Sequence, residues 1–398
     1  MHYGVLVMGT RMVKLGKVAE YIEKRVDTDC SNSGEYVSTE NLQSNKLGVS
    51  FPSSSYPTVG KVGVYQTGDI LISNIRPYFK KIWQANKSGT NSLDVLNIRT
   101  TSDALIQDFL AVVLSDDRFF DFMMTTAKGT KMPRGDKSAI MEYKFILPEL
   151  TTQQRVVHIV SAINAKIELN QQINSNLLKL MNGMFHKNYL ADKRVQVSNT
   201  VKLSNMVRTK SDTFNPKKTK ETFVNYFSMP AFDAERFPVV DAASDIKSNK
   251  NVVEPFSILV SKMNPDVKRV WLPNTSKDLL NVASTEFLTF NADVPEMQAF
   301  VYAVVNDKRY QKYLESNTTG STNSRQRVLP KVAYSYEIPY VKEVAQQFGF
   351  QIMDIIDMIK LNKEQNQHLI RLRNVLVPKL LAGDIDLSNI ETVMNNNA

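Results

Sequence analysis

Residues 151–190, TTQQRVVHIVSAINAKIELNQQINSNLLKLMNGMFHKNYL, contain no proline and a single glycine, and their apolar residues recur at helical spacing. Val156, Val160, Ile163, Ile167, Leu177, Met181 and Met184 mark one narrow stripe, the seam of a coiled coil rather than the broad face of a globular helix. Asn170 and Asn174 interrupt that stripe, and polar seam residues fix register and partner at a cost in stability. Pro148 blocks helix upstream, and Thr151 with Gln154 has the form of a capping box. A helix of this length spans about 55–60 Å at 1.5 Å per residue and needs a partner.

The partner is written later in the chain. Residues 346–381 carry Phe348, Ile352, Ile355, Ile359, Leu369 and Leu376 on a matching stripe. Ile167-Glu168-Leu169-Asn170 returns as Ile359-Lys360-Leu361-Asn362 at a shift of 192, and Asn174 then falls on Asn366. The expected pairing seam is Val160, Ile163, Ile167, Asn170, Asn174 and Leu177 against Ile352, Ile355, Ile359, Asn362, Asn366 and Leu369. Run antiparallel, it sets Asn170 and Asn174 near Asn366 and Asn362. Pro378 should end the second helix or start a short new one, with Gly383 as its C-cap.

The repeat reaches beyond the helices. Asp69-Ile70-Leu71-Ile72-Ser73 aligns with Ser257-Ile258-Leu259-Val260-Ser261 at a shift of 188, as do Pro77 with Pro265, Lys80 with Lys268 and Trp83 with Trp271. Further on the shift becomes 191 and sets Phe109 against Phe300, Arg134 against Arg325 and Pro148 against Pro339. The expected order is a globular unit (1–148), a long helix (149–194), a second globular unit (195–338), and a second long helix with its tail (339–398). Each unit reads as α+β. Ile70 to Ile75 and Ile258 to Met263 are strand-like, and Leu105 to Met124 and Pro295 to Leu314 are helical. A basic polar loop follows each helix, at 127–137 and 318–328, and the tail from Glu391 is expected to be disordered. Residues 27–67 and 214–255 diverge most, as unlike loops on a common scaffold would.

Composition narrows the function. With Cys30 alone, no internal disulfide can form, and a reducing compartment, the cytoplasm, is expected. No apolar run reaches membrane-spanning length. A net charge of +9 suits an anionic partner. No Walker loop, glycine fingerprint or methyltransferase NPPY motif is present, so no catalytic residues, metal or cofactor are expected.

The strips NYFSMPAFD (225–233), SILVSKMNPDVKRVW (257–271) and ASTEF (283–287), with the helix signatures QQRVVHIVSAINAKIELNQQINSNL and VLVPKLLAGDID, resemble the specificity subunit of type I restriction–modification enzymes. The resemblance covers about Val13 to Ile385. It implies two target-recognition domains in tandem, each followed by a long helix, the two helices pairing as an antiparallel coiled coil. It also implies double-stranded DNA as ligand, two methyltransferase subunits docked on the helices, and restriction subunits in the full complex.

Lysine and arginine neutralise phosphates, and arginine, asparagine and serine also read base edges. Candidate DNA contacts in the first unit are Arg76, Lys80, Lys81, Lys128, Thr130, Lys131, Arg134 and Lys137. In the second they are Lys268, Arg269, Ser321, Asn323, Arg325, Arg327 and Lys331. A solvated basic face explains any one of them equally well. Recurrence at Lys80/Lys268, Lys81/Arg269 and Arg134/Arg325 separates those pairs from the rest. Trp83 and Trp271 read as core. The rival reading is a scaffold whose duplicated units bind proteins.

Overall fold

A computed structural model describes residues 11–28, 35–51, 56–234, 236–319 and 326–387. Cys30, Ser321, Asn323, Arg325 and the tail from residue 388 lie outside these described residues. The chain divides into two compact units, residues 1–166 with 369–398, and residues 167–368. The long helices, Leu150–Met184 and Lys342–Ala382, each contribute residues to both.

In the first unit, Ile70–Ser73 is fully buried and central to a four-stranded sheet. It pairs antiparallel with Val95–Thr100 (Ile72 opposite Leu96) and with Ile82–Gln84. Ile70 and Ile72 meet Phe109, Val113, Phe119 and Phe120 in one core, while Leu71 packs into a second one with Tyr65 and Val95. Val156 and Val160 of the first long helix and Val377 and Leu380 of the second enter the core of Ile70 and Ile72. Arg11–Lys14 pairs with Lys144–Leu147, the short strand that leads into the first long helix.

The second unit repeats the arrangement in its own residues. Ile258–Ser261 pairs with Phe287–Phe290 (Val260 opposite Leu288) and with Val270–Trp271. The helix Pro295–Asn306 is buried continuously from Met297 to Asn306, so it forms the centre of this core rather than one side of it. Phe185 and Tyr189 stack at 5.5 Å, and both lie against Phe300 and Phe348.

The two helical stretches expected over 105–124 and 295–314 are each broken in two. Asp116 and Asp307 are extended and cap the following helices, Asp117–Thr125 and Lys308–Ser316. Asp116 accepts from the Arg118 amide at 2.8 Å and from its guanidinium at 2.9 Å. Asp307 accepts from the Arg309 amide at 2.9 Å, its Nε at 2.8 Å and His186 Nε2 at 2.5 Å. Both aspartates are 2% exposed. A buried carboxylate satisfying helix N–H groups and an arginine fork stops one helix and starts the next.

The capping box expected at Thr151 and Gln154 does not form, because the helix already begins at Leu150 and both residues are exposed. Gln153 anchors this end instead. It is fully buried, its Nε2 donates to the carbonyls of Ala104 and Pro148 at 2.8 Å, and its Oε1 accepts from the Ile106 amide at 2.9 Å. Pro378 does not end the second helix, which continues to Ala382. Val377, Leu380 and Leu381 bury on both sides of the proline, and their burial outweighs one missing backbone bond. Gly383, with φ +78°, does close the helix: its amide donates to Leu380 O at 3.2 Å and that of Asp384 to Lys379 O at 2.9 Å, a Schellman motif.

The divergent segments are not simply loops. Arg25–Asp27, Lys61–Tyr65, Gly89–Asn91 and Tyr36–Val37 form a second four-stranded sheet in the first unit. In the second unit, Thr213–Phe214, Lys250–Val252, Leu280–Ala283, Phe223–Phe227 and Val239–Ala242 form a five-stranded one. Runs such as KVGVY and FVNYF carry the β-branched and aromatic content that strands need. Unlike sheets therefore sit beside a repeated framework.

Candidate nucleic-acid interface

In each unit the chain leaves the buried central strand through a tight basic turn that pairs with the polar loop beyond the helices. In the first unit Ile75 bridges Arg134, and the Arg76 amide donates to Pro133 O at 2.8 Å. Asn74 donates to Asp94 O at 2.9 Å and its carbonyl accepts from Gly135 at 3.1 Å. In the second, Met263 bridges Arg327, Asn264 donates to Gln326 O at 2.9 Å, Lys262 to Glu286 O at 3.0 Å, and Val328 to Lys262 O at 2.9 Å. Arg76 (φ +51°) and Asn264 (φ +46°) both adopt the left-handed conformation at matching places. Non-glycine residues in this region carry strain, which concentrates at functional sites.

This register corrects one expected equivalence. Arg134 corresponds to Arg327, at a shift of 193, and not to Arg325. Each of these arginines is ion-paired to the acid just before a sheet strand: Arg134 to Asp94 at 3.0 Å, and Arg327 to Glu286 at 2.9 Å. Both side chains stay about half exposed, 51% and 54%. An arginine paired to a carboxylate through one edge still has further N–H donors with which to meet a ligand. Between two loops of polar residues, a two-residue change of length leaves no apolar landmark from which sequence could place the pair.

Other candidates are already engaged. Lys80 (φ +51°) pairs with Asp117 at 2.9 Å, and Lys81 Nζ donates to Thr39 O at 2.6 Å. Lys268 Nζ donates to Asn306 O at 2.7 Å, and Arg269 grips Asp233 at 2.6 and 3.0 Å. Burial lowers the pKa of Lys81 and of Lys268. These four side chains tie the turns down as well as charging them. Lys128, Thr130, Lys131 and Lys137 are exposed on the 127–137 loop; Lys128 pairs with Asp136 at 2.6 Å, and Lys137 Nζ is 5.9 Å from the Tyr21 ring. Lys331 is exposed on the short helix Pro330–Tyr334. Trp271 is 1% exposed in a core with Phe227 and Phe287, and half-buried Trp83 lies edge-on to Tyr65 at 5.8 Å.

Lys46 was not among the sequence candidates. It follows Asn45, both are left-handed (φ +56° and +62°), and its Nζ reaches Asp117 at 2.7 Å beside Lys80. Burial, only partly opposed by Asp117, lowers the Lys46 pKa. Burial opposes ionisation of Asp117 as well, yet the bonds from Lys46 and Lys80 hold its carboxyl below the ordinary value. Lys46 lies in the divergent 27–67 segment, where no repeat partner marks it.

On the helices, Asn170 Nδ2 donates to Asn366 Oδ1 and to Gln365 Oε1, both at 2.8 Å, and Asn366 Nδ2 donates to Ile167 O at 3.1 Å. Asn362 Nδ2 donates to Asn174 Oδ1 at 2.9 Å, and Asn174 Nδ2 to Ile359 O at 3.3 Å. Val160, Ile167, Ile352 and Ile359 are buried, whereas Ile163, Leu177, Ile355 and Leu369 are half-buried. Ile356 and Ile370 are buried, one residue beyond Ile355 and Leu369.

Among the described residues no cluster of His, Cys, Asp and Glu could hold a metal, and no helix is long and apolar enough to cross a membrane. A mixed helix-and-strand framework presents one basic turn in each unit. Residues 9–179 match the family described as the type I restriction modification DNA specificity domain. Across 93% of its length the chain is 20% identical to the type I restriction enzyme HindI specificity subunit of Haemophilus influenzae, covering 98% of that protein. Over 32% of its length it is 27% identical to the type I restriction enzyme EcoDI specificity subunit of Escherichia coli, covering 30% of it. The fold is shared with the crystal structure of a type I restriction–modification system S subunit from M. genitalium, at 15% identity and TM-score 0.51 over 95% of this chain and 97% of that one. Residues 9–179 thus match a type I DNA specificity domain, and nearly the whole chain is similar to a type I restriction enzyme specificity subunit.

Proposed function

We propose that this subunit reads an asymmetric, bipartite site in double-stranded DNA, one half through each of two target-recognition domains, residues 1–148 and 195–338. The observation that carries the reading is the recurrence of the acid-steadied arginine turn, Arg134 and Arg327, beside sheets that differ between the units. A repeated anchor with unlike neighbours suits two half-sites of different sequence. The spacer helices, 149–194 and 339–398, pair as an antiparallel coiled coil. The amide bonds of Asn170 with Asn366 and of Asn174 with Asn362 support that direction, as does Arg373 donating to Asn164 at 2.9 Å. Two methyltransferase subunits dock on these helices, restriction subunits join through them, and the complex works in the cytoplasm.

With its methyltransferase subunits, Arg327→Ala should reduce methylation by relaxing one half-site, and Arg134→Ala by relaxing the other. Loss of a bidentate base contact costs about 1–3 kcal/mol, roughly 5- to 150-fold at the correct base. The check is methylation of duplexes substituted in each half. Equal loss on every sequence would make both arginines phosphate contacts, and no loss from either variant would remove them from the interface.

A further inference from the structure

The second unit contains a group of cations that the recognition turns do not use. Arg236 follows the short helix Met229–Ala234, and Lys360 and Lys363 lie one turn apart on the second long helix. Arg236 and Lys360 both act on Lys363 as neighbouring positive charges. No ion pair holds any of the three among the described residues. Asp233, the carboxylate nearest in effect to Arg236, is gripped by Arg269 through two bonds, and Asp357 and Glu364 act on Lys360 only at a distance. Burial, with the two neighbouring cations, brings the Lys363 pKa down to about 7. Such an arrangement is unfavourable until an anion enters it.

Two aromatic rings and two strained residues frame the group. The Arg236 guanidinium lies 5.3 Å from the Phe232 centroid, and Lys360 Nζ lies 4.3 Å from that of Phe256. Arg236 (φ +59°) and Phe256 (φ +69°) are both left-handed, and Phe256 is 60% exposed. Cations next to an exposed ring suit a sugar–phosphate backbone, which offers single negative charges beside apolar deoxyribose faces. Through Asp233 the group adjoins Arg269, at the end of the recognition turn of this same unit.

We propose that Arg236, Lys360 and Lys363 form a phosphate clamp, by which the second long helix itself holds the DNA backbone. The first long helix offers no copy at the corresponding positions, where Lys360 and Lys363 are replaced by Glu168 and Gln171. The clamp is therefore one-sided. The inference rests on duplex DNA being the ligand.

The test is anisotropy of a labelled mixed-sequence duplex with the full-length chain across a salt series. Lys363→Met and Lys360→Gln should each lower the slope of log affinity against log salt by about 0.9, and the double variant by about twice that. Melting temperatures should stay the same or rise, since each change relieves repulsion. Variants that keep the wild-type slope would overturn the clamp while leaving DNA recognition intact. Wild-type protein without salt-dependent duplex binding would remove the DNA reading itself. Variants that keep the slope but no longer co-purify with methyltransferase subunits would assign the group to an acidic protein surface and overturn the clamp too.

Discussion

Gly349→Ala should destabilise the second unit by about 3 kcal/mol or more, although alanine favours helix by about 1 kcal/mol at such a position. Gly349 lies inside the second long helix, and a Cβ there would overlap the carbonyl oxygen of Glu296, 2.7 Å from its carbon and 3.2 Å from its Cα. The obstacle is backbone in the first turn of the buried helix Pro295–Asn306, so no side-chain rotation relieves it. Phe348 and Ile352 on the same helix are buried, which prevents the helix from backing away cheaply. Denaturant unfolding of the variant should show the loss. Wild-type stability in Gly349→Ala would mean that the two helices do not approach as described.

The second large effect has the opposite sign. Replacing Asn170, Asn174, Asn362 and Asn366 together by leucine should raise the melting temperature and loosen helix register or promote association. Asn170, Asn362 and Asn366 are buried, and Asn170 Oδ1 has no hydrogen-bond partner among the described residues. Leucine removes that buried polar cost and adds apolar burial. It also removes the amide-to-amide bonds that favour one alignment. Sedimentation and thermal melting of the variant should therefore move together. A stabilised protein with unchanged association and unchanged cross-links would leave the asparagines without a role in register.

The asparagines were legible in the sequence because they repeat at a fixed shift inside otherwise apolar stripes. The central strands were legible for a related reason: Ile70–Ser73 and Ile258–Ser261 are continuous apolar runs, which buried strands require. The exact seam was harder to read. The helix repeat of 3.6 residues drifts against any fixed step, and burial passes from Ile355 to Ile356 and from Leu369 to Ile370. The caps at Asp116 and Asp307 were missed because apolar periodicity continues across them on both sides. Gln153 was missed because its three partners come from the loop at 104–106 and from Pro148, contacts that only the tertiary fold creates. Among the candidate contacts, lysines that look free in the sequence prove to be tied, Lys81 to Thr39 and Lys268 to Asn306. Charge alone does not separate a contact from an anchor.

The central claim is that each recognition domain reads its own half of the DNA site. It is tested most directly by mapping methylated adenines in cells whose subunit has residues 201–338 replaced by the equivalent domain of another type I specificity subunit. One half of the methylated sequence should change, with the other half and the gap between them kept. A change in both halves, or in neither, would contradict the account.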